Sequence, residues 1–189
     1  MVIVSAQQKQ KIRPQIFILW VAIASIIMMF AGLTSAYIVK SNQAGWQNLA
    51  MPQLFLISTI AIIGSSVTLQ LAVSSFKKKA VAKFQQLLGI TVLLGILFVV
   101  LQCFGFKQLW ESGIQLKGVA GAGQFLYVIF GLHGLHVIGG IVALFVMLLK
   151  AFFGKSKIAT NTPIEVMATY WHFVDFLWVY ILLFFIWIQ

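Results

Sequence analysis

The sequence predicts an all-α, polytopic membrane protein with five transmembrane helices, the N-terminus cytoplasmic and the C-terminus on the outer side. Three observations carry that prediction. Of 189 residues, 61% are hydrophobic and only 8% are charged, against about 25% charged in a soluble globular domain. The apolar residues gather in five runs long enough to cross about 30 Å of hydrocarbon, which takes roughly 20 residues. The loops between them alternate sharply in basic charge. These features exclude a soluble enzyme and a disordered regulator. The formal net charge is +10, but the basic residues are thinly spread between apolar runs. They fit cytoplasmic loops beside anionic headgroups, and no nucleic acid is expected as a partner.

The spans fall at 15–39, 52–76, 86–106, 124–149 and 166–188. The longest link between them leaves no room for an extramembrane domain. We therefore expect a cytoplasmic tail at 1–14 and one five-helix domain at 15–189. The first run is too long for a signal-peptide core and lacks a small-residue cleavage site, so it is expected to stay as span 1. Pro14, Pro52 and Pro163 sit at or just before span starts, where proline is tolerated. Open sheet edges are not satisfied in lipid, which argues against strands. Orientation follows from Lys and Arg. Ten lie in the tail, the span 2–3 loop and the span 4–5 loop; three, Lys40, Lys107 and Lys117, lie opposite.

Helices in lipid associate by close packing and polar contacts, so small residues suggest interfaces. Candidates are Gly32 and Ala36 in span 1, Gly64 and Thr68 in span 2, Thr91 and Gly95 in span 3, and Gly131, Gly134, Gly139, Gly140 and Ala143 in span 4. The many hydroxyls of span 2 predict that it faces protein. Cys103 reads as a small packing residue. Trp20, Trp46, Trp110, Trp187, Tyr37 and Tyr127 fit an interfacial aromatic belt.

Inside the spans lie one formal charge, Asp175, and all three histidines. His133 and His136 are three apart and share one face of span 4. In span 5, Glu165, Thr169, His172 and Asp175 form a polar stripe running inward from the cytoplasmic side. Such groups normally face protein or water, here spans 4 and 2 or a neighbouring subunit. A metal site, a pair of axial haem ligands and a carboxylate–histidine proton relay are all chemically open. So is a buried network that fixes the pairing of two helices.

The segments FGLHGLHVIGG (130–140) and YWHFVDFLWVYIL (170–182) resemble subunit III of the haem-copper terminal oxidases, the cytochrome c and quinol oxidase family. The matching positions are His133, Gly134, Leu135, His136 and Val137, then Glu165, Tyr170, Trp171, His172, Phe173, Val174, Asp175 and Trp178. FAGLTSAY (30–37), SSVTLQLA (65–72) and the LLG (93–95) to Gln102 stretch are similar to further family elements, in order. The chain resembles the family's five-helix bacterial form. Two family carboxylates are replaced, by Ile26 and by Gly105.

The resemblance implies a non-catalytic subunit with no redox cofactor of its own. Haem and copper would belong to subunit I and to a copper- or quinol-linked subunit II. Bound phospholipid, support of proton uptake and of complex stability, a bacterial inner (plasma) membrane, and membership of a larger respiratory supercomplex are further expectations. In this reading His133, His136, Glu165, His172 and Asp175 form a structural, lipid-facing or proton-access cluster. Gly134, Tyr170, Trp171 and Trp178 are packing residues. Two competing readings are a stand-alone haem-binding cytochrome, using His133 or His136 with His172, and a small transporter or lipid-handling protein.

Overall fold

The computed structural model describes residues 14–41, 53–112, 122–153 and 162–188. They form α1 (Pro14–Ser41), α2 (Gln53–Lys77), α3 (Val81–Glu111), α4 (Ala122–Phe153) and α5 (Thr162–Trp187). Each is long and apolar enough to cross a membrane, and the described residues contain no strand. The five expected spans are therefore present in order. Several helices outrun their apolar runs: α3 starts at Val81 and ends at Glu111, against the expected 86–106. Hydropathy marks only the part that tolerates hydrocarbon. The backbone ladder continues past it into the polar interface.

Residues 78–80 make the whole α2–α3 connection. Lys79 takes a left-handed φ of 59°, and the Ala80 N–H donates to Ser75 O at 3.0 Å. So short a link forces antiparallel neighbours. Pairs mark the register from end to end: Phe76 with Phe84, Thr68 with Thr91, Ser58 with Gln102 and Phe55 with Gly105.

The other helices follow the same alternation. Lys77 meets Glu165 and Thr59 meets Trp178, so α2 and α5 are antiparallel. Gln85 Nε2 donates to Ala151 O at 2.6 Å, placing the start of α3 beside the end of α4. Tyr37 lies against Phe125, Phe184 and Phe185, joining the end of α1 to the start of α4 and the end of α5. Lys77, Lys78, Lys79, Lys83 and Lys150 consequently share one end of the bundle, with Lys40 and Lys107 at the other. The remaining Lys and Arg positions, and Trp46, lie outside the described residues.

Among the described residues α1 packs on α4 and α5, α3 on α2 and α4, and α5 on α2, α4 and α1. The centre is aromatic. Phe55, Phe98 and Phe130 surround Trp178 at ring-centroid distances of 6.2, 5.1 and 5.2 Å. Such pairs are worth about 0.5–1.5 kcal/mol each beyond area burial.

Several small-residue expectations are corrected. Gly32 and Ala36 point outward, because α1 meets its neighbours through Ile23, Ile26, Phe30, Thr34 and Tyr37. Gly131, Gly139 and Ala143 are also exposed. Cys103 is exposed and not a packing residue. Trp20, Trp110 and Trp187 are exposed, but Tyr37 is a core residue and not part of an outer belt.

Candidate functional site

The site grows from the hydroxyls of α2. Ser58, Thr59, Ser65 and Thr68 each donate to a carbonyl three or four residues back in their own helix. A hydroxyl has one proton but two lone pairs, so each oxygen still accepts. Thr59 accepts from Trp178 Nε1 at 2.9 Å and Ser65 from Trp171 Nε1 at 3.0 Å, both on α5. Ser58 accepts from Gln102 Nε2 at 2.9 Å, on α3. Thr68 bonds Thr91, also on α3, at 2.9 Å. The serine-rich stretch of α2 thus faces protein, as the sequence predicts, and fastens α3 and α5 to one helix.

Two glycines make room for the Trp171 indole. The Trp171 ring is fully buried. A Cβ on Gly140 would stand 2.9 Å from its Cζ3, and one on Gly95 would stand 3.0 Å from its Cη2. Gly134, by contrast, has nothing within 4 Å of that position. Tyr170 Oη donates to His136 O at 3.1 Å, tying α5 to α4.

The four titratable groups at membrane depth take different positions. His133 is only 1% exposed. Phe30, Phe98 and Trp178 enclose it at centroid distances of 6.5, 6.2 and 5.2 Å. Neither of its ring nitrogens has a hydrogen-bond partner. His136 is half-buried, and its Nδ1 lies 2.7 Å from Leu132 O, so that nitrogen carries the proton.

Among the described residues, both hydrogen bonds of His172 go to α2. Ser66 Oγ lies 2.5 Å from its Nδ1 and Gln70 Oε1 lies 3.2 Å from its Nε2. The neutral ring satisfies both when Nε2–H donates to Gln70 and Nδ1 accepts from Ser66. Asp175 is 5% exposed and neither carboxyl oxygen makes a hydrogen bond.

Glu165 is separate from these. It pairs with Lys77 at 3.4 Å, both partners about half exposed, at the lysine-rich end of the bundle. The α5 stripe therefore meets α2 at Glu165 and His172. His133 and His136 instead meet α1, and His133 also meets α3 and α5. The sequence-predicted cluster is divided into two places. No group of three or more His, Cys, Asp or Glu converges among the described residues.

Sequence reasoning missed Gln70, Ser66, Ser65 and Thr59 as the specific partners of α5. The signal was present as their spacing: 59, 66 and 70 recur near the helical period, on the face opposite His172 and Trp178. Gly105 is another case. A Cβ there would stand 2.8 Å from Phe55 Cε1, so this core has no room for the family's carboxylate unless Phe55 moves. Ile26, at the other replaced position, is buried apolar core.

Comparison with known proteins gives a consistent result. Residues 15–189 match the family described as cytochrome c oxidase subunit III. The chain is 34% identical over 167 residues to the "Probable cytochrome c oxidase subunit 3" of Nocardia farcinica (strain IFM 10152), covering 86% of this chain and 81% of that protein. It is 32% identical to the Corynebacterium diphtheriae (strain ATCC 700971 / NCTC 13129 / Biotype gravis) "Cytochrome c oxidase subunit 3", over 81% of this chain and 78% of the relative. The corresponding Bacillus subtilis (strain 168) protein is 29% identical over 86% and 80%. With the ordered motifs and five apolar helices, these matches place the chain in the cytochrome c oxidase subunit III family, a subunit of the haem-copper oxidases.

Proposed function

We propose that this subunit is a non-catalytic scaffold of its oxidase, which sustains proton uptake and stability of the turning-over complex in aerobic electron transport. Subunits of this family carry no redox centre of their own, and membership implies a multi-subunit oxidase in a bacterial membrane. The finer reading is ours. The lysine-rich end faces the cytoplasm of a bacterial plasma membrane. Residues 15–189 act as one five-helix domain behind a short cytoplasmic tail. Haem and copper sit in a subunit I and a copper- or quinol-linked subunit II, and phospholipid and a larger respiratory supercomplex are further partners.

One observation carries this reading. The most family-specific residues of α5 are spent on neighbouring helices: Tyr170 on α4, and Trp171, His172 and Trp178 on α2. Groups fixed in this way hold a bundle together. The exposed small faces of α1 and α4 (Gly32, Ala36, Gly131, Gly139) also suit close approach of another helix.

The test is an oxidase prepared with and without this chain. The reading expects unchanged reduced-minus-oxidised haem bands, with faster loss of activity during turnover when the chain is absent. Altered haem bands, or equal lifetimes, would contradict it.

A further inference from the structure

We propose that the α2–α5 seam around Gln70 docks a membrane helix of another oxidase subunit, one that carries an Asn, Gln, Ser or Thr side chain in the lysine-rich half of the bilayer. This rests on the scaffold reading and deepens it, by naming the surface and the chemistry of the partner.

Depth is the first argument. The Lys77–Glu165 pair marks one end of the antiparallel helices. The Gln70–His172 bond lies seven residues further in on each of them. That is about 10 Å of helix, well inside a hydrocarbon layer about 30 Å thick. Acyl chains offer no hydrogen-bond acceptor there, so polar side chains turn inward or meet protein. Ser58, Thr59, Ser65 and Thr68 all find partners on α3 or α5 within the bundle. Gln70 is exposed instead. Its Oε1 accepts from His172 Nε2–H. Its amide nitrogen carries two further donors, which bond to none of the described residues. His172, itself held by Ser66, anchors the amide in advance, which lowers the cost of ordering it on docking.

The surroundings have the pattern of a packing face. Ile63 and Val67 share the Gln70 face of α2, and Phe176 follows His172 by one turn on α5. All three are exposed. A polar centre between apolar shoulders fixes register and partner when two helices meet. The outer face of α3 is different: Ile90, Leu93, Leu97 and Val100 are exposed there without a polar side chain among them, as suits lipid. A phospholipid headgroup sits too high to reach Gln70. A second copy of this chain would lie the same way up, bringing Lys77, Lys78 and Lys79 of both copies together at one end, where like charges repel.

Photo-cross-linking of the intact oxidase in its native membrane tests this. Phe176 and Val67 are replaced, one at a time, by p-benzoylphenylalanine. Leu93, at similar depth on α3, is the lipid-facing control. Irradiation should join both seam positions to one helix of a different oxidase chain, and mass spectrometry should find Asn, Gln, Ser or Thr in the linked segment. Position 93 should give lipid adducts. Gln70→Leu should speed release of the subunit in detergent about threefold, the worth of an average hydrogen bond between membrane helices. Ile60→Ala, exposed on another face of α2, should leave release unchanged. If Gln70→Leu does not assemble, the cross-links decide, since they leave Gln70 in place. Lipid adducts alone at either seam position, a link to a second copy, a linked helix without such a side chain, or release no faster than in the Ile60 variant overturns the docking site. Co-purification with the oxidase but no seam cross-link would remove this face and leave the scaffold reading standing.

Discussion

Trp171 lies across Gly140 so closely that a Cβ on the glycine would stand 2.9 Å from the ring. Ser65 of α2 also holds the indole, accepting its N–H at 3.0 Å. One aromatic ring thereby joins three helices, α5, α4 and α2, and Gly95 of α3 completes the slot. Gly140→Ala should therefore destabilise the subunit by about 1–3 kcal/mol, the usual cost of overpacking. Gly134→Ala, which meets nothing within 4 Å, should be neutral or slightly stabilising. Thermal release of the subunit from the purified complex would separate the two classes. Equal effects at 140 and 134 would mean that Trp171 does not occupy a tight slot at Gly140.

The indole bonds predict a measurable coupling. Ser65→Ala, Trp171→Phe and the double variant form a cycle, and the interaction should be about 0.6 kcal/mol, the average for hydrogen bonds between membrane helices. The Thr59–Trp178 pair has the same geometry, at 2.9 Å, and should give a similar value. A coupling indistinguishable from zero at both pairs would mean that ring packing alone fastens α5 to α2.

His133 predicts the opposite of a catalytic histidine. Both ring nitrogens are buried without partners, and an unsatisfied buried polar group costs about 1–3 kcal/mol. His133→Phe, which retains the ring among Phe30, Phe98 and Trp178, should leave stability unchanged or raise it, with activity and haem bands unchanged. A loss of haem absorbance on this substitution would revive the haem-ligand reading.

The Lys77–Glu165 pair should contribute little. Both partners are about half exposed, and surface ion pairs are worth about 0–1 kcal/mol. Glu165→Gln should shift subunit release by less than Gly140→Ala does. A larger effect would mean that Glu165 is covered in the assembled oxidase.

The sequence made the architecture legible because a membrane removes alternatives. Five apolar runs separated by short basic links leave few arrangements for a chain whose backbone must satisfy itself. The fastening face of α2 was legible too, since Ser58, Thr59, Ser65, Ser66 and Thr68 would be misplaced against lipid. The choice of which small residue is internal was not. Gly140 and Gly139 are adjacent and chemically identical, yet only Gly140 faces Trp171. That distinction depends on how α4 is rotated against α5, which large rings decide. Spacing put His133 and His136 on one face, but a helix face is broad enough for one ring to enter the core while the other stays half-buried. Asp175 carried a clear signal of importance, because a lone carboxyl in an apolar run is costly. That neither carboxyl oxygen finds a hydrogen-bond partner could not be read from one chain's pattern.

The central claim is that this chain belongs to an oxidase whose redox chemistry lies in other subunits. Mild-detergent isolation of the tagged chain from its native membrane tests it most directly, with a reduced-minus-oxidised spectrum and mass spectrometry of the co-purifying chains. The account predicts a haem-bearing oxidase subunit and a second large partner in the same particle, and no haem absorbance once the chain is separated from them. A chain that purifies alone, or one that keeps a haem spectrum after separation, would contradict it.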